Sequence, residues 1–151
     1  MASHLLILSC SKSKDHSPGK LPALERYTGR AFSILKNAMK QKPYLREVLD
    51  VVIISAKYGF LLADDEIEDY EQRLDSKGVR ARELRPGIIK RFKQLFSERH
   101  YDVVFVHLGR DYLKAVEGFT EFVGEGTKVI YSKGRGMGEK NQMLKRFLES
   151  L

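Results

Sequence analysis

Apolar residues gather in short blocks along this chain, and polar stretches fill the spaces between them. Residues 4–8, His-Leu-Leu-Ile-Leu, form an almost wholly apolar run that suits a strand covered on both faces. Residues 48–55, Val-Leu-Asp-Val-Val-Ile-Ile-Ser, read as a second buried strand. Residues 101–108 and 127–132 read as a third and a fourth. Helical spacing appears between them. Ala31, Ile34, Leu35, Ala38 and Met39 fall at i, i+3, i+4, i+7 and i+8, with Thr28 as the expected N-cap and Pro43 as the stop. A helix from about Val79 is expected to break at Arg85-Pro86-Gly87, with Pro86 in the first turn of its successor. That successor buries Ile88, Phe92, Leu95 and Phe96. Gly109 to Tyr112 opens a short helix, and 139–151 gives a last one with Met143, Leu144, Phe147, Leu148 and Leu151 on one face.

Four strands alternating with helices predict an α/β fold. The expectation is a three-layer αβα domain with a four-stranded, mostly parallel sheet. At 151 residues one domain, 1–151, is the default.

Each strand empties into polar chemistry. The first ends at Ser9-Cys10-Ser11-Lys12-Ser13-Lys14, the second at Ser55-Ala56-Lys57-Tyr58-Gly59. In a parallel sheet both loops lie at the carboxyl edge, where α/β proteins bind ligands. The fourth strand leads into Gly134-x-Gly136-x-Gly138, a turn that lets backbone approach a ligand and aims a helix N-terminus at it. This is neither a dinucleotide fingerprint nor a Walker motif. The loops offer hydroxyls, ammonium groups and backbone N–H donors, which is chemistry for phosphate. The alternative for each is a polar turn that merely closes a core strand. His107, near the end of the third strand, reads more readily as a packed residue than as a catalyst.

Charge sharpens this picture. The net charge is +7, which favours polyanionic partners, nucleic acid first. Residues 73–93 are strongly basic, and Arg80, Arg82, Arg85, Lys90, Arg91 and Lys93 are the candidates for phosphate contacts along a nucleic-acid backbone. An acidic block at 64–71 either prepares a general acid or base or pairs with that basic segment. Residues 15–22 are polar, carry two prolines and a glycine, and read as a mobile loop. One cysteine permits no internal disulfide and fits a reducing, cytoplasmic setting. No run is long enough to span a membrane. The scattered His and Cys offer no metal site, and no cofactor is expected.

Ser9-Cys10-Ser11-x-x-Lys14, Tyr27, Ser55-Ala56-Lys57-Tyr58-Gly59-Phe60-Leu61, Tyr70 and the glycine turn before the last helix together resemble a family of small, uncharacterised YaaA-like α/β domains. The first loop is also similar to the Pro-Cys-Ser motif of the archaeosine synthase core domain, although Ser9 stands in place of the proline and Asp15-His16 where Lys-Pro-Tyr would follow. Such domains resemble the uracil-DNA glycosylase-like fold. That likeness implies a parallel sheet of order 2-1-3-4 with a pocket built by the loops after the first and last strands. The glycosylase catalytic motifs are absent, so base excision is not implied.

The combined expectation is an enzyme that processes a nucleotide or a nucleic-acid base, with a phosphate-binding cleft at the carboxyl edge of the sheet and a role in nucleic-acid modification or stress. Cys10, the only thiol, is the candidate nucleophile, with Lys57 and Tyr58 as further catalytic candidates. Ser9, Ser11, Lys14, Tyr27, Ser55, Tyr70, Gly134, Gly136 and Gly138 are the candidate ligand-binding residues. Tyr27, Tyr58 and Tyr70 are candidates for stacking on a ring or bonding to a ribose. The alternative is a non-catalytic nucleic-acid-binding protein that uses the basic segment.

Overall fold

The computed structural model describes residues 2–151. Its main sheet has five strands: β1 (His4–Ser9), β3 (Leu49–Ser55), β4 (Gly59–Leu62), β6 (Val103–His107) and β7 (Lys128–Tyr131). They lie in the order β4-β3-β1-β6-β7. Pairing is parallel from β3 through β1 and β6 to β7, and antiparallel between β3 and β4. The fold is therefore mixed α/β with a mostly parallel sheet, but it has five strands where four were expected. The extra strand arises because Ser-Ala-Lys-Tyr-Gly is a hairpin turn, not the start of a crossover. Gly59 takes φ +75°, a backbone conformation that side chains disfavour. The chain reverses there, so Phe60 and Leu61 pair with Ile54 and Ile53.

Strand β1 sits in the middle, and Leu5, Leu6, Ile7 and Leu8 are all fully buried. Its side chains alternate between two cores. Leu6 and Leu8 pack with α1 (Ala23–Arg26), α2 (Arg30–Gln41), α3 (Leu45–Val48) and α6 (Met137–Glu149). Leu5 and Ile7 pack with α4 (Val79–Glu98), α5 (Arg110–Ala115) and the 3-10 turn Phe119–Phe122. Two covered faces explain the unbroken apolar run. A two-stranded antiparallel ribbon, β2 (Leu21–Pro22) with β5 (Glu66–Ile67), lies beside the main sheet.

Three local expectations need correction. Gly29, not Thr28, is the N-cap of α2. The segment around Pro86 does not break: α4 runs through it as one helix of 20 residues. Pro86, Gly87 and Lys90 are exposed, whereas Ile88 and Phe92 are buried. Burial of that apolar face holds the helix together across the bond the proline cannot make. The ion pairs of the acidic block are made not with the basic segment but with residues that precede the block. Asp64 bonds to Arg46 and Asp69 to His16, each at 2.8 Å, and Asp65 accepts from the Leu62 N–H at 2.8 Å.

The loop expected to be mobile, 15–22, is laced down by Arg26. This arginine is fully buried. Its guanidinium donates to the carbonyls of Asp15 (2.7 Å), Ser17 (2.9 Å), Gly19 (2.6 Å) and Ile67 (3.1 Å). Replacing it with an apolar side chain strands those acceptors. Arg26→Met is expected to lower the unfolding free energy by about 3 kcal/mol, measured by urea denaturation. A loss within error would show that the loop carbonyls do not depend on this residue.

Candidate functional site

Strand β1 ends at the carboxyl edge of the sheet, and the residues that follow must find new hydrogen-bond partners. The Cys10 N–H donates to the Ile54 carbonyl at 2.9 Å, which extends the ladder by one residue. Beyond it the loop is fastened to the segment before α2. Ser11 Oγ donates to the Ser13 carbonyl (2.6 Å) and accepts from the Gly29 N–H (3.1 Å). The Thr28 and Asp15 N–H groups donate to Ser13 and Arg26 carbonyls. Gly29 has to be glycine at this crossing, because a Cβ there would lie 2.5 Å from Ser11 Cβ.

Half-buried Cys10 points its Sγ at the hydroxyl of Tyr112, 3.1 Å away. Tyr112 belongs to α5, the helix that follows β6. The sequence marks it only as part of a short helix. Its apolar spacing hides the partnership, because contact across 102 residues is set by strand order. Burial, followed by the nearby Cys10, pushes the Tyr112 hydroxyl pKa up.

The second loop contributes a chain of hydroxyls. Ser55 is fully buried, and its Oγ accepts from the N–H groups of Lys57 (3.1 Å) and Tyr58 (3.0 Å). With those acceptor sites used, its proton goes to the Tyr70 oxygen at 2.9 Å. Tyr70 in turn meets the hydroxyl of Tyr27 at 2.6 Å. Lys14 lies 4.7 Å and Lys57 5.8 Å from the centre of the Tyr70 ring, an attractive arrangement for a cation and an aromatic face. Burial raises the Tyr27 pKa to about 12 and raises that of Tyr70 as well.

A cleft of about 640 Å³ opens beside Cys10 and Tyr112, with Lys12, Lys14, His16 and Arg73 among its walls. This size is ordinary for a small-molecule site. A second cavity, about 400 Å³ around the amino end of β3, is lined by Arg46, Asp50, Asp64 and Arg99. There the charges satisfy one another, with Arg46–Asp64 at 2.8 Å and Arg99–Asp50 at 2.7 Å.

The candidate residues are thus brought together unevenly. Cys10, Ser11 and Lys14 line the cleft. Ser9 closes β1, and Ser55, Tyr27 and Tyr70 form the buried hydroxyl chain behind it. Lys57 and Tyr58 are exposed beside Tyr70. Gly134, Gly136 and Gly138 do not line the cleft. Their turn follows β7, two strands from β1, although the helices α2 and α6 that succeed the two turns pack on each other. At that turn Glu139 Oε2 accepts from the Arg135 N–H at 2.7 Å. The helix end is served by its own carboxylate. Nearby, buried His107 bonds to Ser132 (3.0 Å) and Asn141 (2.9 Å), and burial lowers its pKa. It is a packed, fully partnered histidine.

The basic segment is partly committed to structure. Arg80 donates to the Ala56 (3.0 Å) and Lys57 (3.1 Å) carbonyls and so braces the second loop. Arg85 donates to the Lys114 carbonyl at 2.7 Å and pairs with Glu117. Arg82 donates to the Lys77 carbonyl. Lys90, Arg91 and Lys93 are exposed, with Arg91 over Phe60 and Lys93 near Phe122. No group of three or more His, Cys, Asp or Glu among the described residues is placed to hold a metal. Among the described residues no helix is long and apolar enough to cross a membrane.

Residues 5–146 match the model of a family of unknown function, DUF6884, and the chain belongs to that family. No curated protein matches it. It is similar to a solved structure described as the crystal structure of AF0587, a protein of unknown function. The TM-score is 0.59 at 18% identity, over 99% of this chain and 46% of that one. The likeness establishes a shared fold, and this chain spans just under half the length of that protein.

Two outcomes follow from the geometry. Gly29→Ala is expected to cost about 1–3 kcal/mol through overpacking, with part of the loss recovered in Gly29→Ala/Ser11→Gly. Additive losses in urea denaturation would show that the two residues do not crowd each other. Tyr27 has a raised folded-state pKa relative to its ordinary 10.0. Its contribution to stability is complete below pH 10.0 and is lost as pH rises through about 12, because only the unfolded state releases the proton first. In Tyr27→Phe that part of the alkaline stability loss should vanish. An unchanged pH–stability curve would contradict the assignment.

Proposed function

We propose that this protein is an enzyme that processes a nucleotide or a nucleic-acid base in the cleft beside Cys10, at the carboxyl edge of β1. The observation that carries the reading is the meeting of a thiol and a tyrosine hydroxyl, Cys10 and Tyr112 at 3.1 Å, in a cleft walled by Lys12, Lys14 and Arg73. A reactive group, a proton-bearing neighbour and cations for an anionic substrate are the parts such a reaction needs. Cys10 is assigned as the nucleophile and Tyr112 as the hydroxyl that holds its sulfur. Lys14 and Lys57, both beside the Tyr70 ring, neutralise substrate charge.

The likeness to YaaA-like domains, to the archaeosine synthase core and to the uracil-DNA glycosylase-like fold belongs to this proposal too. Its support is the Ser-Cys-Ser turn after a central strand and the run β3-β1-β6-β7 of parallel strands. Binding of nucleic acid by α4 alone is the second reading, favoured by the exposed Lys90, Arg91 and Lys93.

A thermal-shift screen with nucleotides, deazaguanines and short oligonucleotides separates the two. The enzyme reading expects a small ligand to raise Tm, Lys57→Ala to weaken that shift, and Cys10→Ala to bind the ligand without turning it over. Unchanged turnover by Cys10→Ala removes the nucleophile assignment. Binding only to oligonucleotides, falling steeply with salt and indifferent to Lys57→Ala, supports the second reading instead.

A further inference from the structure

The cleft offers a ligand much charge and little aromatic surface. Tyr27 is fully buried and Tyr70 is 7% exposed. The Tyr70 ring is met edge-on by Tyr58 and Tyr27 and covered by Lys14. Neither ring can serve as a stacking platform. Tyr112 is half-buried with its hydroxyl on Cys10.

The cations stand differently. Lys12 and Arg73 are both exposed at the cleft. Among the described residues neither side chain takes part in an ion pair or donates a hydrogen bond. This sets Arg73 apart from Arg80, Arg82 and Arg85, whose guanidinium groups are all engaged. Lys14 joins them, held over Tyr70 and in contact with the Lys12 carbonyl at 3.4 Å. One carboxylate, Glu71, shares the walls, and the neighbouring His16 is occupied by Asp69.

We propose that Lys12, Lys14 and Arg73 form an anion subsite for the phosphoryl group of a small phosphorylated molecule, and that the cleft selects its ligand by this charge and not by ring stacking. The planar guanidinium fork of Arg73 matches two phosphoryl oxygens at once, while the two ammonium groups act as point charges. The inference rests on the nucleotide reading above and specifies which part of the ligand is held.

The test is isothermal titration calorimetry of the whole chain with a nucleoside monophosphate, the parent nucleoside and inorganic pyrophosphate. Lys12→Gln and Arg73→Gln change exposed side chains and should fold. Lys145→Gln, on an exposed position of α6, controls for loss of net charge. The expected result is binding of the monophosphate and of pyrophosphate, weakened about tenfold or more by Lys12→Gln and by Arg73→Gln, with Lys145→Gln unchanged and the nucleoside inert. Binding of nucleoside and monophosphate with equal affinity, indifferent to Arg73→Gln, overturns the subsite while leaving the cleft as a nucleotide site. Equal weakening by Lys145→Gln also overturns it, by reducing it to general attraction. Absence of binding by all three ligands overturns the subsite, and the reading it rests on falls with it when the nucleotides, deazaguanines and oligonucleotides of the thermal-shift screen also leave Tm unchanged.

Discussion

Burial of β1 on both faces and pairing along both of its edges constrain everything else in this molecule. Four consecutive side chains, Leu5 to Leu8, are removed from water, each worth about 1.5–3 kcal/mol. A strand so enclosed can release polar chemistry only where it ends. The chain therefore changes character at Ser9, and several donors around the turn find partners on neighbouring segments. Cys10 continues the ladder to β3, Ser11 crosses to Gly29, and Thr28 returns to Ser13. The thiol of Cys10 and the lysines on either side of Ser13 face the cleft.

The arginines divide the same way. Arg26 donates to three loop carbonyls and to that of Ile67 in β5, and Arg80 braces the turn that carries Lys57 and Tyr58. Carbonyls in irregular loops need donors that no strand or helix supplies, and guanidinium groups reach several at once. A positive net charge therefore overstates how much cation the surface offers a partner. The unengaged cations at the cleft matter more than the total.

The tyrosines illustrate a related economy. Tyr27 and Tyr70 look in sequence like groups that could meet a ring. In the fold they join Ser55 in a buried relay of hydroxyls and support the turn after β3 from behind. Buried hydroxyls must be partnered, and these partner one another. Tyr27 and Tyr70 are thus engaged within the fold.

Local pattern alone marked the parallel strands, as apolar runs, and the helical segments at 31–39 and 139–151, because burial on two faces gives an unbroken run and burial of one helix face a repeat of 3.6. It also marked Cys10, Ser11 and Lys14, since polar residues that interrupt a central strand are visible without coordinates. Tertiary structure decided the rest. Only strand order brings Tyr112 to Cys10 and keeps the glycine turn, two strands from β1, out of the cleft. Only the positive φ at Gly59 shows that the second polar loop is a hairpin that adds a fifth strand. Only packing against the sheet carries α4 through Pro86. Local sequence encodes which face is apolar, but pairings between residues far apart depend on how the elements stack, and no window of the chain contains that information.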